Sequence, residues 1–326
     1  MSVYTTVTRD ELQAWLVRYA LGNVTAFEPI ASGIENTNYF VTTQRGRFVL
    51  TLYERLPAEE LPFYLNFMAH VARAGVEVPA PTADRTGALF SVLNGKPAGL
   101  VARVEGSAIQ RPEVVHCAAV GAALARLHLA SASYRPRLAN RRGPKWWRQA
   151  ARAVRPYLDT GQNALLDAEL EHVSGYAGCK LPKGAIHGDL FCDNVLFVGE
   201  TVSGIIDFGF AATDYYVYDL AITVNDWCVI HEGPEQGAVV PQLVDALLRA
   251  YHSVRPLHGE ERVHWPLMLR ASALRFWLSR LHDLFLPRTG ELTHAHDPLK
   301  FERILRQRGS GDLNLSLTTA TLPPSS

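Results

Sequence analysis

Asp189, Asn194 and Asp207 are the residues whose types and spacing most suggest chemistry. Asn194 lies five positions after Asp189, and Asp207 lies thirteen positions after Asn194. Two apolar stretches, 195–198 and 202–206, lie between the last two residues and predict a β-hairpin with a Gly-Glu-Thr turn. A polar loop precedes the first strand and Asp207 follows the second, so all three side chains are expected near one edge of the hairpin.

These three side chains are suited to holding a metal ion and accepting a proton. Asn194 and Asp207 offer hard oxygen ligands of the kind that Mg²⁺ prefers when substrate phosphates complete its coordination shell. Asp189 has the reach to accept the proton of an attacking hydroxyl group. We interpret His187, two residues earlier, as a packing and hydrogen-bonding residue rather than the base.

The first hundred residues are expected to form a mixed sheet with two helices. Thr8 and Glu11 predict a capping box that begins a helix over 9–20. A second helix is predicted over 59–74 by apolar residues at helical spacing. Short stretches rich in β-branched and aromatic residues predict strands over 27–30, 38–43, 47–53, 88–93 and 99–104.

Beyond a predicted hinge at 105–107, helical patterns predominate. Helices are predicted over 112–130, 146–158, 164–176, 220–230, 241–253 and 263–286. The tail from Gln307 is polar and ends in Pro and Ser, so it is predicted to be disordered. The fold class is therefore α+β, with a small sheet lobe followed by a larger, mainly helical lobe.

Composition favours a globular protein that handles a small molecule. The 326 residues are 48% hydrophobic and 20% charged, which excludes a disordered, collagen-like or coiled-coil chain. Lys plus Arg equals Asp plus Glu at 32 each, whereas proteins that coat nucleic acid or anionic membranes are normally basic. The four cysteines form no C-x-x-C pair, and no signal peptide or run of 18 apolar residues is present. A soluble, cytoplasmic protein is expected, with no nucleic-acid or membrane partner.

The spacing around Asp189 resembles a kinase signature. The motif His187-x-Asp189, Asn194 and the sequence Asp207-Phe-Gly are similar to the catalytic loop and metal-binding Asp of kinases. The flanking motifs, 124–128 (LARLH) and 218–221 (YDLA), resemble the aminoglycoside phosphotransferase and choline kinase-like family. Within that family, over about residues 5–306, the segments similar to bacterial homoserine kinases are 32–40, 47–53 and 224–228.

The resemblance implies a two-lobed, protein kinase-like fold and a reaction. It divides the chain into an N-lobe with a nucleotide-binding sheet (1–105), a catalytic and substrate-binding C-lobe (106–306) and the tail (307–326). It implies ATP-dependent phosphorylation of the side-chain hydroxyl of L-homoserine to O-phospho-L-homoserine, a step of threonine biosynthesis, with Mg²⁺ as the metal. Phosphoryl transfer of this kind needs positioning and charge neutralisation more than covalent chemistry.

The resemblance also implies roles for individual residues. Asp189 would orient and deprotonate the hydroxyl, and Asn194 and Asp207 would hold Mg²⁺ against the phosphates. Adenine would lie against the 101–105 linker, and homoserine in the helical lobe beyond Asp207. The residues expected to contact the nucleotide are Ser32, Gly33, Asn36, Thr37 and Arg103, and those expected to line the substrate site are Asn225, Asp226 and Trp227.

Some positions leave alternatives open. The strand over 47–53 should carry a Lys for the α- and β-phosphates, yet Thr51 occupies that position, so either Arg47 or Arg103 replaces it or Mg²⁺ carries more of the charge. The 225–227 segment is either an exposed helix patch or a substrate wall in which Asp226 pairs with an ammonium group. A substrate carboxylate would favour an Arg, and candidates on the predicted helix 263–286 are Arg270, Arg275 and Arg280. His294 and His296 are expected to be loop residues, since no cluster with zinc spacing accompanies them.

Two rival functions also remain. One is another small-molecule kinase of the same fold, acting on choline, a methylthio sugar or an aminoglycoside. The other is a catalytically silent nucleotide-binding scaffold, suggested by Thr51. The complete set of Asp189, Asn194 and Asp207 argues against the scaffold. The sequence does not predict an oligomeric state.

Overall fold

The computed structural model describes residues 4–30, 36–287 and 297–309. Its N-terminal part is an antiparallel five-stranded sheet in the order β1-β2-β3-β5-β4, with a helix at the N-terminus and another between β3 and β4. These elements are α1 (Arg9–Leu16), β1 (Val24–Pro29), β2 (Thr37–Thr43), β3 (Gly46–Leu52), α2 (Leu61–Arg73), β4 (Ser91–Leu93) and β5 (Lys96–Ala102).

Side-chain alternation fixes which face of this sheet is buried. In β2 and β3 every second residue is buried, among them Val41 and Leu50, so one face packs under α1 and the other stays partly open. The start of α1 is capped because Thr8 Oγ1 accepts from the Glu11 amide at 3.3 Å while the Thr8 amide donates to Glu11 Oε2 at 2.7 Å. The five-stranded sheet and α1 together enclose a small core of their own.

The remaining elements form the larger, mainly helical lobe. Two short sheets, β7 with β10 and β6 with β8 and β9, lie among its helices. The elements are β6 (Ser107–Ala108), α3 (Val114–Ser131), α4 (Pro144–Val154), α5 (Thr160–His172), β7 (Lys183–Ile186), β8 (Val195–Val198), β9 (Thr201–Ile205), β10 (Ala212–Tyr215), α6 (Tyr216–Trp227), α7 (Pro241–Val254), α8 (Gly259–Val263), α9 (Trp265–Phe285) and α10 (Leu299–Gly309).

Helix α3 is the apolar centre of this lobe. It is long and apolar enough to cross a membrane by length and composition alone, but half of it is buried inside the protein. Its Gly121 allows α7 to approach closely, because a Cβ at that position would lie 2.2 Å from the carbonyl oxygen of Leu247. Such contact between helix backbones identifies α3 as a core helix of the fold.

Most predicted elements are present, with shifted ends. Helix α1 ends at Leu16 rather than near residue 20, and α2 packs into the core of the helical lobe although it precedes the predicted hinge. The sequence pattern missed α10, whose last residues, 307–309, belong to the segment that was predicted to be a disordered tail. Residues 310–326 lie outside the described part of the chain.

Candidate active site

The β8–β9 hairpin brings Asn194 and Asp207 together. Asn194 ends a short 3-10 helix just before β8, and its carbonyl accepts the amide of Ile206 at 2.9 Å, immediately after β9. Asp207 is the next residue, so the two side chains leave neighbouring ends of one hairpin. This is the edge expected from the sequence.

Asn194 also holds the loop that carries Asp189. Its Nδ2 donates to the Asp189 carbonyl at 2.8 Å and lies 3.4 Å from Asp189 Oδ2. The amide nitrogen is thus used within the loop, and no hydrogen bond from the described residues reaches Oδ1 of Asn194. That oxygen is the atom available to a ligand.

Asp207 has unusual backbone angles and a raised pKa. It adopts left-handed angles (φ 59°, ψ 73°), and its Oδ1 accepts the Gly209 amide at 3.2 Å. Although its side chain is exposed, surrounding protein removes part of its hydration and the Asp189 carboxylate repels its charge, which together raise its pKa to about 6. A cation bound here would relieve that repulsion.

A buried charged network supports the 187–194 loop from behind. Asp219 on α6 accepts the amides of His187 and Gly188 at 2.8 and 2.7 Å, and its Oδ2 lies 3.0 Å from Nε2 of His128 on α3. Burial would raise the pKa of Asp219, but these hydrogen bonds and nearby charges outweigh it and lower the pKa. The motifs around His128 and Asp219 therefore meet in space, beneath the loop.

His187 links two segments through hydrogen bonds, as its position in the sequence suggested. Its Nδ1 accepts the Asp189 amide at 3.2 Å, so its Nε2 is the atom that donates to the Ile206 carbonyl at 2.9 Å. The ring packs edge-on against Phe208, with centroids 4.8 Å apart. His187 thus ties the loop to the segment that carries Asp207.

The residues expected to contact the nucleotide do not all have side chains that are available to a ligand. Ser32 and Gly33 lie outside the described residues, while Oδ1 of Asn36 is buried with no hydrogen-bond partner among those described. The expectation for the Thr37 side chain needs correction: its hydroxyl accepts the amides of Tyr4 and Thr5 and donates to Glu54 at 2.8 Å. All of its hydrogen-bonding capacity is therefore used, on the N-terminal segment and on Glu54.

The candidates for the missing Lys have partners of their own. Thr51 Oγ1 donates to Asn38 Oδ1 at 2.8 Å across β2 and β3. Arg47 pairs with Glu105 at 2.5 Å, with both side chains more than half exposed. The Arg103 guanidinium lies 3.9 Å from the ring centroid of Phe40, next to the 101–105 linker. Arg103 is thus part of the linker and Arg47 is paired with a linker residue, so neither lies at the Thr51 end of β3.

The expected substrate wall on α6 also needs correction. Asn225 is fully buried, where its Nδ2 donates to Leu269 and Ser272 and its Oδ1 accepts from Arg308. Trp227 is fully buried and donates to the Leu190 carbonyl at 3.1 Å. Both residues connect elements of the core, so their polar groups do not face a substrate.

Asp226 is engaged in the same way. Its Oδ1 lies 2.8 Å from Nζ of Lys300, and its Oδ2 accepts the amide of Cys192 at 2.9 Å. Burial opposes its charge, but Lys300 and these hydrogen bonds lower its pKa. Asp226 therefore anchors the 187–194 loop to α10, and the prediction that it pairs with a substrate ammonium group is corrected.

Helix α9 carries Arg275, which the sequence offered only as one of three candidates for a substrate carboxylate and not as the partner of Asp189. Nη1 of Arg275 lies 3.2 Å from Oδ1 of Asp189, and the adjacent Phe276 packs on Phe191 with ring centroids 4.5 Å apart. Arg270, in contrast, forms a two-pronged pair with Glu169 at 2.7 and 2.8 Å. One face of α9 thus contacts the 187–194 loop, and no local pattern marks that face.

In the described ranges no group of three or more His, Cys, Asp and Glu side chains could hold a metal ion by itself. His294 and His296 lie outside those ranges. The arrangement around Asn194 and Asp207 therefore offers two protein oxygens on one side of a site, next to a carboxylate that can accept a proton. Such a site suits a metal ion that is also held by phosphate oxygens.

Comparisons with known proteins show the family of the chain. Residues 26–264 match the family model described as "Phosphotransferase enzyme family". Proteins named homoserine kinase are 50% identical in Methylobacillus flagellatus, covering 94% of this chain and 95% of the relative, and 48% identical in a Janthinobacterium species, covering 94% and 96%.

Solved structures establish the fold. An amicoumacin kinase in complex with AMP-PNP, Ca²⁺ and Ami has a TM-score of 0.68 at 14% identity, covering 94% of this chain and 93% of that one. A spectinomycin phosphotransferase with ADP and spectinomycin has a TM-score of 0.67 at 14% identity, covering 93% and 95%. The chain has the two-lobed, protein kinase-like fold of these enzymes.

Proposed function

The chain belongs to the phosphotransferase enzyme family, and on that premise we propose that it phosphorylates L-homoserine with ATP. The observation that carries the proposal is the meeting of Asp189, Asn194 and Asp207 at one end of the β8–β9 hairpin. The acceptor is drawn from relatives named homoserine kinase that are about half identical over 94% of the chain. The sequence resemblance and the full-length relatives point to the same acceptor.

The reaction is an in-line displacement at the γ-phosphorus of ATP. A bond forms between the homoserine hydroxyl oxygen and the γ-phosphorus, the bond from that phosphorus to the β–γ bridging oxygen breaks, and ADP leaves. The hydroxyl proton passes to Asp189. Its Oδ1 is held by Arg275 at 3.2 Å, and Oδ2, which has only the longer 3.4 Å contact with Asn194 Nδ2, is the oxygen proposed to accept the proton.

Asn194 and Asp207 fit Mg²⁺. The free Oδ1 of Asn194 is a hard ligand, and the mutual repulsion of Asp189 and Asp207 marks a place where a cation is favourable. When bound, Mg²⁺ would neutralise charge on the phosphate oxygens during transfer. The residues themselves orient the loop, because Asn194 fixes the Asp189 carbonyl while presenting its own oxygen outward.

The nucleotide is proposed to lie between the sheet and the hairpin. Asn36, whose Oδ1 lacks a partner among the described residues, is next to the predicted phosphate-covering turn of Ser32 and Gly33. Arg103 is proposed to contact the nucleotide near the linker, and residues 1–105 and 106–306 to act as nucleotide-binding and acceptor-binding lobes. The four cysteines are unpaired, which supports a reducing, cytoplasmic location.

An ADP-release assay with Mg-ATP tests the proposal. The acceptors are L-homoserine, L-serine, choline, methylthioribose and kanamycin, with acceptor-free enzyme as the blank. Turnover on L-homoserine alone is expected. Turnover on another acceptor would support a kinase but refute L-homoserine as its substrate. No ADP release with any acceptor, together with intact ATP binding, would favour a nucleotide-binding scaffold.

A further inference from the structure

Arg280 of α9 is a half-buried cation near Asp189 that lacks a fixed partner. Among the described ranges, no hydrogen bond or close ion pair involves its guanidinium. It nevertheless lies within electrostatic range of four carboxylates, those of Asp189, Asp193, Asp226 and Asp283. Removing an arginine from water without a hydrogen-bonded partner is costly, so a partner supplied by a ligand would be favourable at this position.

Helical spacing places Arg280 on the side of α9 that faces the 187–194 loop. It follows Phe276 by one turn, and Phe276 packs on Phe191 of that loop with ring centroids 4.5 Å apart. Residues one turn apart lie on the same helix face. Arg280 is therefore beside the loop that carries Asp189.

The neighbouring cations are already neutralised. Arg275 pairs with Asp189 and lies 3.6 Å from the Phe276 ring centroid, while Lys300 pairs with Asp226 at 2.8 Å. Arg270 is committed to Glu169. Three arginines of α9 were considered for a substrate carboxylate. Of these, only Arg280 forms no hydrogen bond or ion pair with the described residues.

We propose that the guanidinium of Arg280 binds the α-carboxylate of the acceptor and makes the enzyme specific for an amino-acid alcohol. The inference rests on the proposed function, because L-homoserine differs from a simple amino alcohol by that carboxylate. Its short carbon chain joins the hydroxyl, which Asp189 receives, to the carboxylate, which Arg280 receives. A planar guanidinium matches a carboxylate with two parallel hydrogen bonds.

A different role for Arg280 would be to counter the charge of the surrounding carboxylates. In that role it would stabilise the loop irrespective of the acceptor. The two roles are separated by comparing L-homoserine with 3-aminopropan-1-ol, which has the same hydroxyl and ammonium groups and lacks the carboxylate. Only recognition of the carboxylate makes the effect of a mutation depend on the acceptor.

The test measures both acceptors with the wild type, Arg280→Gln and Arg280→Lys, in the full-length chain. Where turnover of 3-aminopropan-1-ol is below detection, its inhibition constant against L-homoserine is measured instead. Arg280→Gln is expected to lower kcat/KM for L-homoserine about 10- to 100-fold, mainly through KM, and to change the value for 3-aminopropan-1-ol less than about threefold. Arg280→Lys should recover part of the loss.

The surface variant Arg249→Gln removes the same charge from an exposed pair on α7 and should change neither acceptor. Equal losses for both acceptors with Arg280→Gln would overturn the proposal in favour of a counter-charge, and no loss for L-homoserine would overturn it outright. Wild-type enzyme that fails on L-homoserine would refute the proposed function itself, before any variant is compared.

Discussion

Nη1 of Arg275 lies 3.2 Å from Oδ1 of Asp189, with the arginine 3% and the aspartate 18% exposed. The guanidinium is packed over the Phe276 ring, 3.6 Å from its centroid, and lies 5.0 Å from that of Phe210. An arginine held this firmly fixes Oδ1, while Oδ2, 3.4 Å from Asn194 Nδ2, is the oxygen proposed to face the acceptor. The pair thus joins α9 to the loop proposed to carry the base.

Asp189→Ala is expected to lower kcat by a factor of about 10² to 10⁴, because it removes the proposed proton acceptor. Binding of Mg²⁺ and AMP-PNP, measured by calorimetry, should change little, since Asn194 and Asp207 remain. The control is Asp245→Ala, an exposed carboxylate on α7 paired with Arg249. A variant with near wild-type kcat would show that another group takes the proton.

Arg275→Gln is expected to lower kcat about 10-fold or more while leaving KM for ATP within about twofold. The reason is that Arg275 acts through Asp189 as a positioning residue and does not reach the nucleotide side. Steady-state kinetics separate the two parameters, and Arg275→Lys should recover part of kcat. If KM for ATP rose while kcat held, the positioning role would be wrong.

The features that were predicted from the sequence lie within short stretches of the chain. The features that were missed depend on contacts between residues far apart in the sequence. The hairpin edge follows from two apolar strands between Asn194 and Asp207, and the capping box of α1 from Thr8 and Glu11, all within short stretches. The partner of Asp189 is Arg275, which is 86 residues away in sequence and lies on α9, and no local pattern relates two positions so far apart.

The error at 225–227 has a similar cause. Every residue of α6 is buried, so this helix has no polar face from which an orientation could be read. The sequence therefore gave no sign that Asn225 and Asp226 have partners. In the structure Arg308 and Lys300 of α10 donate hydrogen bonds to them. Because α10 itself was not predicted, those partners could not be foreseen.

Asp207→Asn is expected to stabilise the metal-free protein at pH 7.5 while abolishing turnover. The folded-state pKa of Asp207, about 6, is above the ordinary value of 3.8, so its ionised form opposes folding at pH values above about 6. As the pH falls from about 6 to about 3.8 this cost diminishes, because the folded carboxyl is already protonated while the unfolded one is still ionised, and below about 3.8 the cost is gone. Neutral Asn avoids the cost at every pH.

Thermal unfolding tests the predicted direction of this change in stability. We expect Tm of Asp207→Asn to exceed wild type by about 1–3 °C at pH 7.5, an increment reduced by the exposure of the side chain, and to match wild type near pH 4. Stabilisation by Mg²⁺ with AMP-PNP should be lost in the variant. A lower Tm at pH 7.5 would contradict the raised pKa, and retained metal-dependent stabilisation would move the metal site elsewhere.

Arg103→Gln is expected to raise KM for ATP several-fold and to leave KM for the acceptor unchanged. The guanidinium is fixed over Phe40, next to the linker where the nucleotide is proposed to lie. The matched variant is Thr51→Val, which removes the hydrogen bond to Asn38 and should cost about 1 kcal/mol of stability with little effect on ATP. The opposite pattern, with KM for ATP raised only in Thr51→Val, would place the nucleotide contact on β3.

Asp219→Asn is expected to lower both stability and kcat, because one amide oxygen cannot replace two carboxylate oxygens. Asp219 accepts the amides of His187 and Gly188 and contacts His128, all within the protein interior. Gly188 cannot relax freely, since it has φ +78° and a Cβ there would lie 2.6 Å from the Phe210 carbonyl oxygen. The loop therefore depends on this anchor for its shape.

Disrupting this buried network should reduce the free energy of unfolding by about 3 kcal/mol, measured in urea. Hydrogen exchange at the amides of His187 and Gly188 should accelerate in the variant, and kcat should fall with KM for ATP largely retained. Asp167→Asn, at an exposed carboxylate paired with Arg155, serves as the control and should change the free energy of unfolding by less than about 1 kcal/mol. If Asp219→Asn had no larger effect than this surface change, the support of the 187–194 loop would have to come from His187 and Asn194 alone.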